Sequence, residues 1–160
     1  MKTSTIIALT FLGVAGSASP MSQSSSTGYF PSIREMAWCL IPWNIDDCYK
    51  AQKHANAAGS QAATYYPSSL HNGKGDAFRH CYWNARMTID LGSGKAKKIG
   101  DNHEDGSKGP EAEKRMDGAN NASGRTIGSN ASGGSKSAKY TSARNACKSA
   151  TDSGRLVTLK

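Results

Sequence analysis

The stretch Asn72-Gly-Lys-Gly-Asp-Ala-Phe-Arg-His-Cys-Tyr-Trp-Asn-Ala85 decides how the chain folds. Asn72, Gly73 and Gly75 are turn residues, and Asp76 stands where a helix cap belongs, so the spacing predicts a loop over 67–75 and a helix from Asp76 to Leu91. Phe78, Cys81, Tyr82, Ala85 and Ile89 fall on one face of that helix. Asp76, His80 and Asn84 follow one another at intervals of four on another face. One side is built for a core and the other for polar chemistry.

Two further blocks follow, Gly100-Asp-Asn-His-Glu-Asp105 and Met116-Asp-Gly-Ala-Asn-Asn-Ala-Ser-Gly-Arg125. Helical patterning extends on both sides of them. Ile33, Ala37, Leu40 and Ile41 form a short stripe that Pro42 ends. A long Ala-rich run from Asn44 to Tyr66 carries Ile45, Tyr49, Gln52, Ala55, Ala62 and Tyr66 roughly on one face. Lys95 to Asp105 and Pro110 to Asn121 repeat the pattern, and the second of these places Glu113, Asp117, Asn120 and Asn121 on one polar face. After a Gly/Ser-rich loop at 129–135, Tyr140, Ala143, Cys147 and Ala150 mark a last helix. With no alternating strand and no internal repeat, the expected fold is mainly α, a single small helical domain of four or five helices with two disulfides, over 33–160.

The first residues read as an export signal over 1–18: Lys2 is the basic start, Ile6 to Val14 is an apolar run too short to span a bilayer, and Ala15 to Ala18 are small. Residues 19–32 are polar and Ser-rich, which predicts a disordered lead-in. The expected product is therefore secreted and extracellular, with no transmembrane segment. Cys39, Cys48, Cys81 and Cys147 make an even count that suits an oxidising compartment, and the absence of Cys-x-x-Cys or Cys-x-x-His spacing disfavours a zinc site. Three pairings are possible, of which Cys39 with Cys48 and Cys81 with Cys147 is preferred. Asn121-Ala-Ser and Asn130-Ala-Ser are glycan acceptor sequons.

The formal charge of +8 is unevenly spread. Residues 125–160 hold Arg125, Lys136, Lys139, Arg144, Lys148, Arg155 and Lys160 against Asp152 alone. Such a basic C-terminal segment attracts polyanions, whether nucleic acid, acidic wall polymer or an anionic surface; its simplest alternative role is solubility.

Together the blocks Asp-Ala-Phe-Arg-His-Cys-Tyr-Trp, Gly-Asp-Asn-His-Glu and Met-Asp-Gly-Ala-Asn-Asn-Ala-Ser-Gly-Arg resemble a family of bacterial wall-associated domains found in secreted and polymorphic-toxin proteins, and related small secreted proteins of fungi and oomycetes. The likeness covers roughly residues 67–128, with the blocks in the family's order. Gly118 and Ala119 stand where the family usually has a His or Trp before the Asn pair. The resemblance implies a lineage of secreted proteins and no particular reaction.

The residues themselves suggest a His/acid site. His80 beside Asp76 has the arrangement of a general base held by a carboxylate, and His103 with Asp101, Glu104 or Asp117 has the same potential. His80, His103 and a carboxylate can also seat a divalent metal. The expected catalytic set is His80, His103, Asp76, Glu104 and Asp117, with Arg79, Asn120, Asn121 and Arg125 binding substrate. Hydrolysis of a phosphodiester, glycoside or peptide is compatible with it. No His-Glu-x-x-His, Gly-x-Ser-x-Gly or phosphate loop is present, and His80 is followed by Cys81 rather than the Asp of secreted phospholipases. His54 and His71 lack partners at useful spacing and are expected on the surface. Two readings follow: a secreted toxin-like hydrolase acting on a polyanion, or a non-enzymatic effector or binding protein in which the cluster braces the helices.

Overall fold

The computed structural model describes residues 31–160, so the expected export signal and nearly all of the expected lead-in lie outside the described residues. Six α-helices follow in order: α1 (Ile33–Cys39), α2 (Ile45–Tyr65), α3 (Lys74–Leu91), α4 (Ser93–Gly106), α5 (Glu111–Ser129) and α6 (Lys136–Asp152), with a 3-10 turn at Pro42–Asn44 between α1 and α2. The expectation of four or five helices is thus short of the number found: each amphipathic segment became a separate helix, because Pro42, Gly92 and the loop before Glu111 break the chain between them. No strand occurs among the described residues.

Ser32 belongs to the domain and not to the lead-in. Its hydroxyl caps α1 by accepting from the Glu35 N–H at 3.1 Å, the Glu35 carboxylate answers on the Ser32 N–H, and the hydroxyl donates to Asn102 O at 2.7 Å. Asp76 is not the cap of α3. Gly73 occupies that position, and Asp76 lies three residues inside, where its carboxylate accepts from the Asn72 N–H at 2.7 Å. Asn72 sits at φ 61°, the left-handed region that Asn tolerates better than most residues.

Helix α3 is the hub, packed against α2, α4, α5 and α6. Phe78, Cys81, Tyr82 and Ala85 are buried as the periodicity predicts, with Ile89 partly buried beside them. The buried face of α2 is Ala51, Ala55, Ala58 and Ala62; Ile45 and Tyr49, expected on it, are exposed. Alanine is the residue chosen there because its small side chain lets two helices approach closely. Trp83 closes that seam with its indole N–H on Ala51 O at 3.0 Å.

The disulfides are Cys39–Cys48 and Cys81–Cys147, the preferred pairing. The first ties α1 to α2 and the second ties α3 to α6. Two disulfides fit an extracellular protein, and no described helix is long and apolar enough to cross a membrane.

Helix α5 runs about two turns beyond Asn121, to Ser129, and Gly124 and Gly128 let its second half press onto α3. A Cβ at Gly124 would lie 2.1 Å from Cys81 O, and one at Gly128 would lie 2.5 Å from Ala85 O. This contact brings the polar faces of α3 and α5 together.

Candidate functional site

The face of α3 turned from the apolar core carries Asp76, His80 and Asn84 toward α4 and α5, and all three are buried. Helix α5 adds Asp117 and Asn121, and α4 adds Glu104. Around the His80 ring the atoms converge: Nε2 lies 3.4 Å from Asp76 Oδ1 and 3.3 Å from Asp117 Oδ1, while Nδ1 faces Glu104 Oε1 at 3.5 Å. Arg79 binds Asp76 Oδ1 and places Nη2 3.1 Å from His80 Nε2. Nε2 thus faces Arg79, Asp76 and Asp117 together, and Nδ1 faces Glu104 alone.

A polar chain supports Glu104 from behind. Arg125 donates to Asn84 Oδ1 at 3.3 Å, Asn84 donates to Asn121 Oδ1 at 2.6 Å, and Asn121 donates to Glu104 Oε1 at 2.9 Å. Gly100 leaves room for it, since a Cβ there would meet Asn84 Oδ1 at 3.2 Å. Two atoms remain without a hydrogen bond although sealed from solvent, His80 Nδ1 and Asp117 Oδ1. Such groups cost about 1–3 kcal/mol each in a fold that has no other use for them.

Burial separates the three carboxyls. It pushes Asp117 up to about 6, against the pull of His80 and with the negative Asp76 and Glu104 adding to it. Burial raises Glu104 as well. Asp76 would rise for the same reason, but the His80 hydrogen bond, the Arg79 charge and the Asn72 N–H outweigh burial and hold it well below the usual carboxylate range. One carboxyl therefore stays ionised while a neighbour takes up and releases protons near neutrality.

Arg79 is the most exposed member of the cluster. Asp76 and His80 side chains are 3% and 4% exposed, Asp117 is 15% exposed, and Arg79 at the mouth is 35% exposed. His71 lies on the rim, exposed as expected, with Nε2 3.6 Å from Glu113 Oε1. Beside the site a depression of about 430 Å³ is lined by Glu104, Asp101, Lys114, Arg115 and Gly118.

Four expectations are corrected. His103 borders the cluster without adding a donor atom to it: its ring centre is 6.4 Å from that of His80, Nδ1 meets Glu35 of α1 at 3.0 Å, and its charge acts on Glu104. Asn120 is fully buried and gives both ends of its amide to Val157, at 2.9 Å each, so it anchors the C-terminal tail and does not face a substrate. Asn121 is also buried, within the polar chain, which removes its sequon from reach of a glycan in the folded protein. His54 is buried, not on the surface; it donates to Asp90 at 3.1 Å and accepts from Arg86 Nε at 3.1 Å.

The fold and site define a disulfide-linked all-helical domain with a buried histidine ringed by carboxylates. Residues 38–154 match the model of a domain of unknown function, DUF6973, and the chain belongs to that family. No solved structure matches it.

Proposed function

We propose that this chain is a secreted hydrolase of polyanions, of the toxin or effector type, with its site at Asp76, His80, Glu104, Asp117 and Arg79. The observation that carries this reading is the convergence of Asp76 Oδ1 and Asp117 Oδ1 within 3.4 Å of one histidine nitrogen, with Glu104 Oε1 3.5 Å from the other. In the hydrolytic step a water adds its oxygen to the electrophilic centre and loses a proton to the Asp117 carboxylate. The same proton passes to the leaving oxygen, so Asp117 ends as it began. His80 Nε2 and Asp76 orient the water through their lone pairs. Arg79, at the mouth, pairs with the anionic group of the substrate. Exposed bases of the C-terminal segment, Lys139 and Lys160 among them, supply longer-range attraction, whereas Lys136 and Lys148 are engaged by Asp90 and Asp152.

The near-complete burial of Asp76 and His80 favours a second reading, a non-enzymatic effector or binding protein whose polar cluster locks α3, α4 and α5 together. The two separate on incubation of the purified mature protein with RNA, DNA and an acidic wall polymer. The hydrolase reading expects soluble fragments from at least one of them, falling about 10²–10⁴-fold in Asp117→Asn and in His80→Gln, the usual loss when acid–base help is removed. If wild type cleaves none, or the folded variants cleave as fast, the bracing role stands in its place.

A further inference from the structure

We propose that Asp76, His80 and Asp117 form a binding site for a divalent transition-metal ion of the zinc or manganese type. The inference rests on the same site as the hydrolase reading and names its cofactor. Each residue offers one donor atom, and these atoms all lie within 4.8 Å of one another. Two of the spacings are 3.4 and 3.3 Å, from His80 Nε2 to Asp76 Oδ1 and to Asp117 Oδ1. Donor atoms bonded at about 2.1 Å around a tetrahedral or octahedral ion stand about 3.0–3.4 Å apart, so these side chains are already placed as ligands.

The electron pairs point the same way. In the tautomer that carries its proton on Nδ1, His80 turns a lone pair toward those of Asp76 and Asp117 across a small buried space. The Arg79 guanidinium satisfies Asp76 and His80 but leaves Asp117 Oδ1 with no hydrogen bond. Asp76, Asp117 and Glu104 set three carboxyls against one fixed cation. A cation on the shared axis gives every donor a partner, and Glu104 behind His80 Nδ1 supplies the outer-shell carboxylate common to metal-bound imidazoles. One nitrogen with two carboxylate oxygens is a borderline donor set, which suits zinc or manganese better than calcium. Three protein ligands leave positions open for water, whose acidity the ion would raise.

Arg79 takes the place of the ion in this state. Its side chain is 35% exposed and lies at the mouth, so it can swing outward when the ion enters. That movement frees the guanidinium for an anionic substrate group just as the ion arrives.

The test is calorimetric titration of the chelator-treated full mature protein, without substrate, using zinc, manganese, calcium and magnesium chlorides in turn. Zinc or manganese should bind at one ion per chain, more tightly than calcium or magnesium. Asp117→Asn should weaken the ion about tenfold or more, Glu104→Gln about tenfold, as loss of an outer-shell carboxylate commonly does, and Arg79→Gln should tighten it. Absence of one-to-one binding overturns the site. So does binding that all three variants leave unchanged, which would mark a surface site elsewhere, or binding that Arg79→Gln weakens. Circular dichroism of each variant confirms that it folds. Cleavage of the substrate panel in excess chelator then separates the two proposals: cleavage without ion binding removes the metal and keeps the hydrolase, while binding in a protein that cleaves nothing keeps the metal site and removes the hydrolase.

Discussion

His54 illustrates how a single residue can be legible by type and not by place. Its neighbours along the chain, Lys53 and Ala55, offer it no partner, and the groups that define it, Asp90 and Arg86, come from α3 more than thirty residues away. Burial lowers its proton affinity, the Arg86 charge lowers it further, and the Asp90 bond only partly restores it. The folded state therefore binds this proton less readily than the unfolded chain. Its contribution to stability is complete above the ordinary value of 6.5 and is lost as pH falls through the lower folded value. The wild-type unfolding midpoint should drop more steeply between pH 7 and pH 5 than that of His54→Gln; parallel slopes would show that His54 is not the group responsible. Asn120 and Asn121 carry a similar lesson. Adjacent on α5, they turn to different neighbours, one to the tail and one to Glu104, and the sequence offers no signal for either.

At the scale of elements, the contact between α3 and α5 governs the site, since it sets His80 against Asp117. Gly124 and Gly128 make it possible, and their four-residue spacing is a signal in the sequence that the apolar pattern alone did not reveal. Gly124→Ala drives a Cβ into Cys81 O and forces the helices apart, which should cost about 1–3 kcal/mol or more. The same substitution at Gly118 on the same helix meets nothing within 4 Å and should instead stabilise by up to about 1 kcal/mol, the propensity difference between the residues. Chemical denaturation of the pair measures both signs. If Gly124→Ala proves neutral, the close approach of α3 to α5 is wrong. Helix α3 itself was readable almost to the residue, because an amphipathic period persists over its whole length; α5 was read too short because glycines in a helix look like its end.

For the whole molecule, the two disulfides do unequal work. Cys81–Cys147 closes a separation of 66 residues between α3 and α6 with both cysteines buried, whereas Cys39–Cys48 closes a separation of only 9 at a half-exposed edge. Loop-closure entropy makes the longer link worth about 4 kcal/mol and the shorter about 2–3 kcal/mol. The double variant Cys81→Ser/Cys147→Ser should therefore lose more of its thermal midpoint than Cys39→Ser/Cys48→Ser, as calorimetry of the two would record; the reverse order would mean that the link between α1 and α2 governs stability. The sequence by itself determined the all-helical class, the disulfide-bearing character and the membership of Asp76, His80, Glu104 and Asp117 in a polar set, because period, cysteine count and residue type are local properties. Only the tertiary structure decided that Glu104 faces the second ring nitrogen of His80, that His103 turns to Glu35, and that Asn120 holds the tail. Those choices depend on which face of one helix meets which face of another, and that is set by close-packing at Gly100, Gly124 and Gly128 between segments far apart in the chain.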